Sequence, residues 1–289
     1  MSHPHLYQLV KNSTSKEVLA QLGEFVDYSD YSGRTCAMVA AIQGRNELLN
    51  KLIEAGADLT FCDDDGRNAL FLATAKGHLP TTKILLRAGL SANIKDNYGW
   101  TPFLLAASQD KGHMCAALLE EGADPEARLS NGLGYYSIIS QPAAFKVVRK
   151  VLRELHPNFI PDSEDLINQG KKGNLLLVPA LIKHGARSDF VLDDGHTLLS
   201  VLSECGAEHS AFVSTVKKLI KLGADPLLYD GTGQYLIDAS KNLPLKKQEE
   251  LQEIVFYIRS QVRRDNLTGH IKEKTGMVLD SPTSNLPKM

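Results

Sequence analysis

Cysteine is scarce in this chain of 289 residues: Cys36, Cys62, Cys115 and Cys205 stand far apart and form no C-x-x-C pair. A disulfide framework is thereby excluded, and free thiols in a reducing compartment are expected. No run of 18 or more apolar residues occurs, so no transmembrane helix is expected. The opening MSHPHLYQLVKNSTSK lacks the long apolar core and small-residue cleavage site of a secretory signal. A cytoplasmic or nuclear protein is expected, with Asn266-Leu267-Thr268 an accidental match to a glycosylation acceptor. Charge of one sign is also missing: 32 Lys+Arg against 34 Asp+Glu give a net charge of −2. That balance points away from nucleic acid and from membrane surfaces.

The spacings that carry chemistry are missing too. The nine histidines show no H-x-x-x-H or H-E-x-x-H, and His3 and His5 form the one close pair, so no metal site is expected. Neither GxxxxGK[ST] nor GxGxxG is present, and Gly231-Thr232-Gly233 falls on a repeated turn. No GxSxG frames a serine nucleophile. Asp63-Asp64-Asp65, Asp193-Asp194 and Glu120-Glu121 fall at turn tips or exposed helix faces, where carboxylates are solvated. The expectation is a protein that is not an enzyme and uses no cofactor.

What the chain does have is a period. A hydrophobic fraction of 43% beside 23% charged residues belongs to a folded chain. Gly33, Gly66, Gly99 and Gly132 recur every 33 residues, as do Gly56, Gly89 and Gly122. Asp30, Asp63 and Asp96 each precede a turn glycine by three. A helix of small residues follows (AMVAAIQ, ALFLATAK, PFLLAASQ), then a helix of larger aliphatics ending in GAD or GLS, whose glycine suits a left-handed C-cap. His78, in Gly77-His78, is expected to make a structural hydrogen bond near a helix start. In the next unit Asp110 takes the corresponding glycine slot, which leaves Gly112-His113 two residues out of phase.

These units resemble the ankyrin repeat family, with Thr101-Pro102, Ala106-Ala107, Gly77-His78 and Gly122-Ala123-Asp124 on its motif. The resemblance implies an all-α solenoid of stacked helix-turn-helix units with short hairpin-like turns, about seven repeats. They are placed near 30–62, 63–95, 96–128, 129–161, 162–191, 192–229 and 230–264. Residues 1–29 read as N-terminal capping helices or a degenerate repeat, because a terminal unit must cover its neighbour's apolar face. Past Arg128 the turn consensus fades: Leu129 stands at the Asp position, and Gly134-Tyr135 replaces Thr-Pro. Residues 129–172 are therefore expected to be less stable locally. A five-residue insertion, AEHSA, delays the second helix of the sixth unit. The closing helix KKQEELQEIVFYIRSQVRR carries Leu251, Ile254, Val255, Ile258 and Val262 on one face. A disordered tail is expected over 265–289, with Ser281-Pro282 a potential phosphosite.

The resemblance implies a non-enzymatic adaptor or scaffold that binds a protein on its concave face, as a monomer. A substrate-recognition or regulatory subunit of a larger complex such as a ubiquitin ligase is the alternative. Adaptors of that kind usually carry a docking box, and 241–289 shows none. By the same resemblance the contact residues are Tyr31, Arg34, Asp64, Asp65, Arg67, Lys76, Tyr98, Trp100, Gln109, Asp193, Asp194 and His196. Ser32, Ile42, Gln43, Ala75, Asn97 and Ser108 occupy neighbouring contact positions. Tyr31, Tyr98 and Trp100 would anchor as rigid aromatics. The acidic tips, Asp64, Asp65, Asp193 and Asp194 above all, would favour a basic segment of the partner.

Overall fold

The computed structural model describes residues 6–22, 26–159, 163–172, 174–175, 177–183, 185–189, 191, 195–206, 211–230, 233–239, 241 and 243–275. The described residues are all-α and fit a repeat solenoid. It divides into two compact units, residues 1–169 with 184–186, and residues 170–183 with 187–289.

In the first unit helices come in pairs. After α1 (Leu6–Asn12) and α2 (Ser15–Leu22) come α3 (Cys36–Gln43) with α4 (Asn46–Glu54), then α5 (Ala69–Lys76) with α6 (Leu79–Arg87). The pair α7 (Pro102–Ser108) with α8 (Gly112–Glu120) precedes α9 (Tyr135–Ile138) with α10 (Pro142–Leu155). The first helix of each pair packs on the first helix of the next, α3 on α5 and α5 on α7, while α4, α6, α8 and α10 form a second layer. Small residues permit this: Ala37, Ala40 and Ala41 of α3 are buried, as are Ala69 and Ala73 of α5 and Ala106 and Ala107 of α7.

Helices α3, α5 and α7 each start on a side chain in the same register. The side-chain oxygens of Thr35, Asn68 and Thr101 accept the amide protons of Met38, Phe71 and Leu104, satisfying a donor that the helix leaves free. The hairpins before them share one construction. Asp30 Oδ1 accepts from the amides of Ser32 and Arg34 at 2.9 and 3.0 Å, and Asp63 Oδ1 from those of Asp65 and Arg67 at 3.1 and 2.9 Å. Asp96 Oδ1 does the same for Tyr98 and Trp100, both at 2.9 Å. The expected role of these aspartates as turn braces is what the geometry shows. Successive hairpins join through Asp64 N to Ser32 O at 3.2 Å and Asn97 N to Asp65 O at 2.9 Å.

A second ladder ties the helix ends together. Arg45 donates to the carbonyls of Val10 and Ser13, beside the end of α1. One period later His78 Nε2 lies 2.9 Å from the carbonyl of Ile42 in the last turn of α3. One period later again, Lys111 Nζ lies 3.2 Å from the carbonyl of Ala75 and 3.4 Å from that of Thr74, ending α5. Arg45, His78 and Lys111 thus fill one slot, each capping the first helix of the unit before it, where carbonyls lack intrahelical donors. His78 plays the structural role expected of it, and Lys111, with no histidine in phase, takes that role in the next repeat.

The slot also dictates the residue beside it. Gly44 has φ 68° and a Cβ there would lie 2.9 Å from the His78 ring. Asp110 replaces this glycine in the third repeat at φ 53°, the one left-handed non-glycine among the described residues. Its carboxylate compensates by accepting the amides of Ser140 and Gln141, both at 2.8 Å, at the entry to α10. Gly112 has a packing role that its phase in the sequence hides: a Cβ would lie 2.8 Å from the Cα of Ala144, so α8 and α10 touch backbone to backbone.

The fourth unit loses its turn aspartate and half its first helix, since α9 stops at Ile138 and Ile139 is extended. Aromatic contacts fill the space. Tyr135 lies 5.2 Å from Phe103 and 4.9 Å from Tyr136 between ring centroids, and Tyr136 stacks on Phe159 at 5.2 Å. Both tyrosines are buried. The expectation of lower local stability rests on the turn alone and leaves out this cluster.

The second unit holds α12 (Val178–Lys183), α13 (Leu198–Gly206), α14 (Phe212–Lys221), α15 (Gln234–Ala239) and α16 (Leu245–Thr275), after α11 (Ser163–Lys171), which begins in the first. Here α13 packs on α15, and α14 on both α12 and α16. Leu251, Ile254 and Val255 of α16 are buried as expected, whereas Val262 is exposed, beyond the reach of that apolar stripe. Helix α16 runs to Thr275, ten residues past the expected boundary at 265, with Gly269 its one weak helix former. The rest of the expected tail, Ser281-Pro282 included, and four residues of the AEHSA insertion lie outside the described residues.

Gly44→Ala and Gly56→Ala separate the two demands on these glycines. Both positions have positive φ, 68° and 84°, but nothing lies within 4 Å of a Cβ at Gly56. Urea unfolding is expected to show a loss of about 1–2 kcal/mol at Gly56 from backbone strain and a larger loss at Gly44. Equal losses would remove the His78 ring from the account.

Candidate functional site

The period of 33 sets two rows of side chains on the face made by hairpins and first helices. Arg34, Arg67 and Trp100 occupy one register position, Gln43, Lys76 and Gln109 the other. Between the rows, in the first two repeats, lies a groove of about 920 Å³. Its cationic lining is Lys11, Arg34, Arg67 and Lys76. Ile42, Leu72 and Ala75, with Gln43 beside them, supply the less polar part. Three of the expected contact residues, Arg34, Arg67 and Lys76, are thus brought together. Trp100, half-buried, and Gln109, exposed, continue the rows into the third repeat.

Other expected contacts sit elsewhere. Tyr31 and Tyr98 stand on the hairpins, 76% and 67% exposed. His196 belongs to the second unit, where its ring stacks on Tyr229 at 5.4 Å and its Nδ1 lies 3.2 Å from Ser200 Oγ and 3.4 Å from the Glu204 carboxylate. It is a half-buried, engaged side chain rather than an open tip. Asp193 and Asp194 lie outside the described residues.

In the first two repeats three carboxylates of the expected acidic ridge, Asp30, Asp63 and Asp65, are paired from within. Asp30 pairs with Arg34 Nε at 3.1 Å. Asp63, whose side chain is 2% exposed, holds Arg67 Nη2 at 2.8 Å, and Asp65 pairs with the same guanidinium. Its hydrogen bonds to the Asp63 carboxylate raise Arg67 above the ordinary arginine value. The reason is geometric: an arginine four residues after the turn aspartate folds back over the carboxylate that braces its own amide. Asp64 is left as the exposed tip carboxylate of that trio, while the groove behind the tips is lined by cations.

Lys11 and Lys111 are the residues that sequence reasoning missed. Lys11 precedes the periodic part, so no register marked it. Lys111 was hidden because its repeat lacks a phased glycine-histidine pair. Burial lowers Lys111 below the ordinary lysine value, and Lys76 adds like-charge repulsion.

Among the described residues no group of three or more His, Cys, Asp or Glu could hold a metal, and no helix is long and apolar enough to cross a membrane. Burial pushes the Cys36 and Cys115 thiols up to about 12, which keeps them protonated and unreactive at neutral pH.

Paired antiparallel helices, aspartate-braced hairpins and a period of 33 define a class of protein, the helical repeat solenoid built for surface recognition. The family model for ankyrin repeats, in three copies, matches residues 37–128, which identifies that stretch as ankyrin repeats. No curated protein matches the chain. Ankyrin repeats are generally protein–protein interaction modules and typically non-enzymatic.

Iodoacetamide at pH 8 is expected to modify the exposed Cys62 in the folded protein and to spare Cys36 and Cys115 until urea is added. The Cys62 thiol is itself raised by partial burial and by Asp63, so its labelling should be slower than that of a free thiol. Peptide mapping that found Cys36 labelled as fast as Cys62 would contradict the burial described.

Proposed function

We propose that this protein is a non-enzymatic adaptor that binds a partner protein along the groove between its hairpins and first helices. The observation that carries the reading is the groove itself, an open trough between two registered rows of side chains. A solenoid repeats its contact positions at fixed spacing, so an elongated partner can meet equivalent residues in successive units. Arg34, Arg67 and Lys76 form the centre of the contact, Trp100 and Gln109 extend it, and Tyr31 and Tyr98 reach the partner from the tips. Exposed rigid aromatics at such positions bury large area at low entropic cost, which favours them as anchors.

A photocrosslinking phenylalanine analogue placed at Gln43, in the groove, or at Lys83, exposed on α6, tests the face. Crosslinked partners are expected from position 43 and not from 83. The Tyr98→Ala/Trp100→Ala double variant is expected to reduce capture of the same partner, by ~2 kcal/mol or more if both are anchors. Crosslinking from position 83 alone would place the binding surface on the other layer and reject the proposal.

A further inference from the structure

The groove is open, and its charge is balanced only in part from inside the molecule, at Arg34 and Arg67. Lys11 and Lys76 are exposed, and among the described residues no carboxylate pairs with either. Lys111, next along, is bonded to carbonyl oxygens and to no carboxylate among the described residues. Arg34 and Arg67 keep 31% and 34% of their side chains exposed. Their carboxylate partners engage Nε of Arg34 and Nε and Nη2 of Arg67, which leaves Nη1 of each guanidinium for an outside acceptor. Lys11 and Lys76 line the groove without a local anion, and a ligand that supplies negative charge there is favoured.

We infer that the groove takes an acidic peptide segment of a partner protein, its carboxylates meeting Lys11, Lys76, Arg34 and Arg67 and an apolar side chain between them resting on Ile42 and Leu72. The inference rests on the protein-binding reading of this face and adds the chemistry of the partner. It reverses the charge expected from the sequence: of the tip carboxylates that suggested a basic partner, Asp65 is held by Arg67, while the groove behind the tips is lined by cations. The apolar residues argue for a peptide over a bare polyanion. Ile42 is half-buried and Leu72 is 7% exposed, so the trough has a floor that a chain of phosphates would leave uncovered. Lys76 lies at the end of α5, close to the helix carbonyls that Lys111 caps, so their negative dipole is already met and does not repel an incoming carboxylate.

The test uses the full chain and four labelled probes in fluorescence anisotropy. These are a pool of Glu/Asp-rich peptides with Leu between the acids, the same pool with Lys in place of the acids, a single-stranded oligonucleotide, and phosphatidylserine vesicles. The acidic pool is expected to bind tightest and to weaken as salt is raised, since exposed charge pairs are screened. Lys11→Glu/Lys76→Glu should weaken it about tenfold or more, whereas the reversal Lys83→Glu/Arg87→Glu on α6 should leave it unchanged. Circular dichroism of both variants shows whether the fold is intact, and Lys76→Gln, which removes charge without reversing it, should show a smaller loss in the same direction. Tighter binding of the oligonucleotide or the vesicles, or an acidic pool unaffected by the Lys11/Lys76 reversal, overturns the inference. If the basic pool binds and still crosslinks from position 43, the acidic-partner inference falls and the protein-binding face stands. If no probe binds while position 43 still crosslinks a partner, the inference falls in the same way. Crosslinking lost from position 43 rejects the face itself.

Discussion

The first three repeats depend on a hydrogen bond made once in each, from the side chain at the head of one unit's second helix to the terminal carbonyls of the previous unit's first helix. Helix ends leave carbonyls without donors, and burying them unsatisfied between repeats would be unfavourable by a few kcal/mol each. Arg45, His78 and Lys111 supply those donors in turn. The bond fixes how far each unit advances on the last. It requires a left-handed backbone without a side chain at Gly44. The same contacts that hold the stack therefore shape the surface that faces a partner.

The hairpins follow a parallel logic with a different outcome. Each turn aspartate braces two backbone amides, and in the first two repeats an arginine four residues on returns to the same carboxylate. In the third repeat Trp100 replaces that arginine, so Asp96 braces the turn without a cation partner of its own hairpin. The recognition surface thus changes character along the stack. It begins as a cationic trough and continues beside an indole ring. The charge of such a surface cannot be read by counting acids and bases; it depends on which of them consume each other.

Much of the architecture was legible in the sequence because it is written at fixed spacing. Asp30, Asp63 and Asp96, the N-caps Thr35, Asn68 and Thr101, and the left-handed slot filled by Gly44, Gly77 and Asp110 all fall on one register. Three members of the groove, Arg34, Arg67 and Lys76, were legible for the same reason. The rest was not, because it depends on contacts between units. Lys11 has no register to betray it. Lys111 replaces a histidine chemically but not in motif. Just past the end of α9 the Asp110 carboxylate accepts the amides of Ser140 and Gln141, a contact across thirty residues. The compensating aromatic cluster around Tyr135 and Tyr136 is likewise assembled from separate segments, with Phe103 and Phe159 arriving from either side.

The central claim is that the first two repeats present a cationic trough to a partner's acidic segment. An amide chemical-shift titration of isotope-labelled protein with the acidic peptide pool tests it most directly, residue by residue. Shifts are expected to cluster at Lys11, Arg34, Ile42, Gln43, Arg67 and the stretch from Leu72 to Lys76, while α4 and α6 stay silent. Shifts concentrated on α4 and α6, or confined to the second unit, would contradict the account.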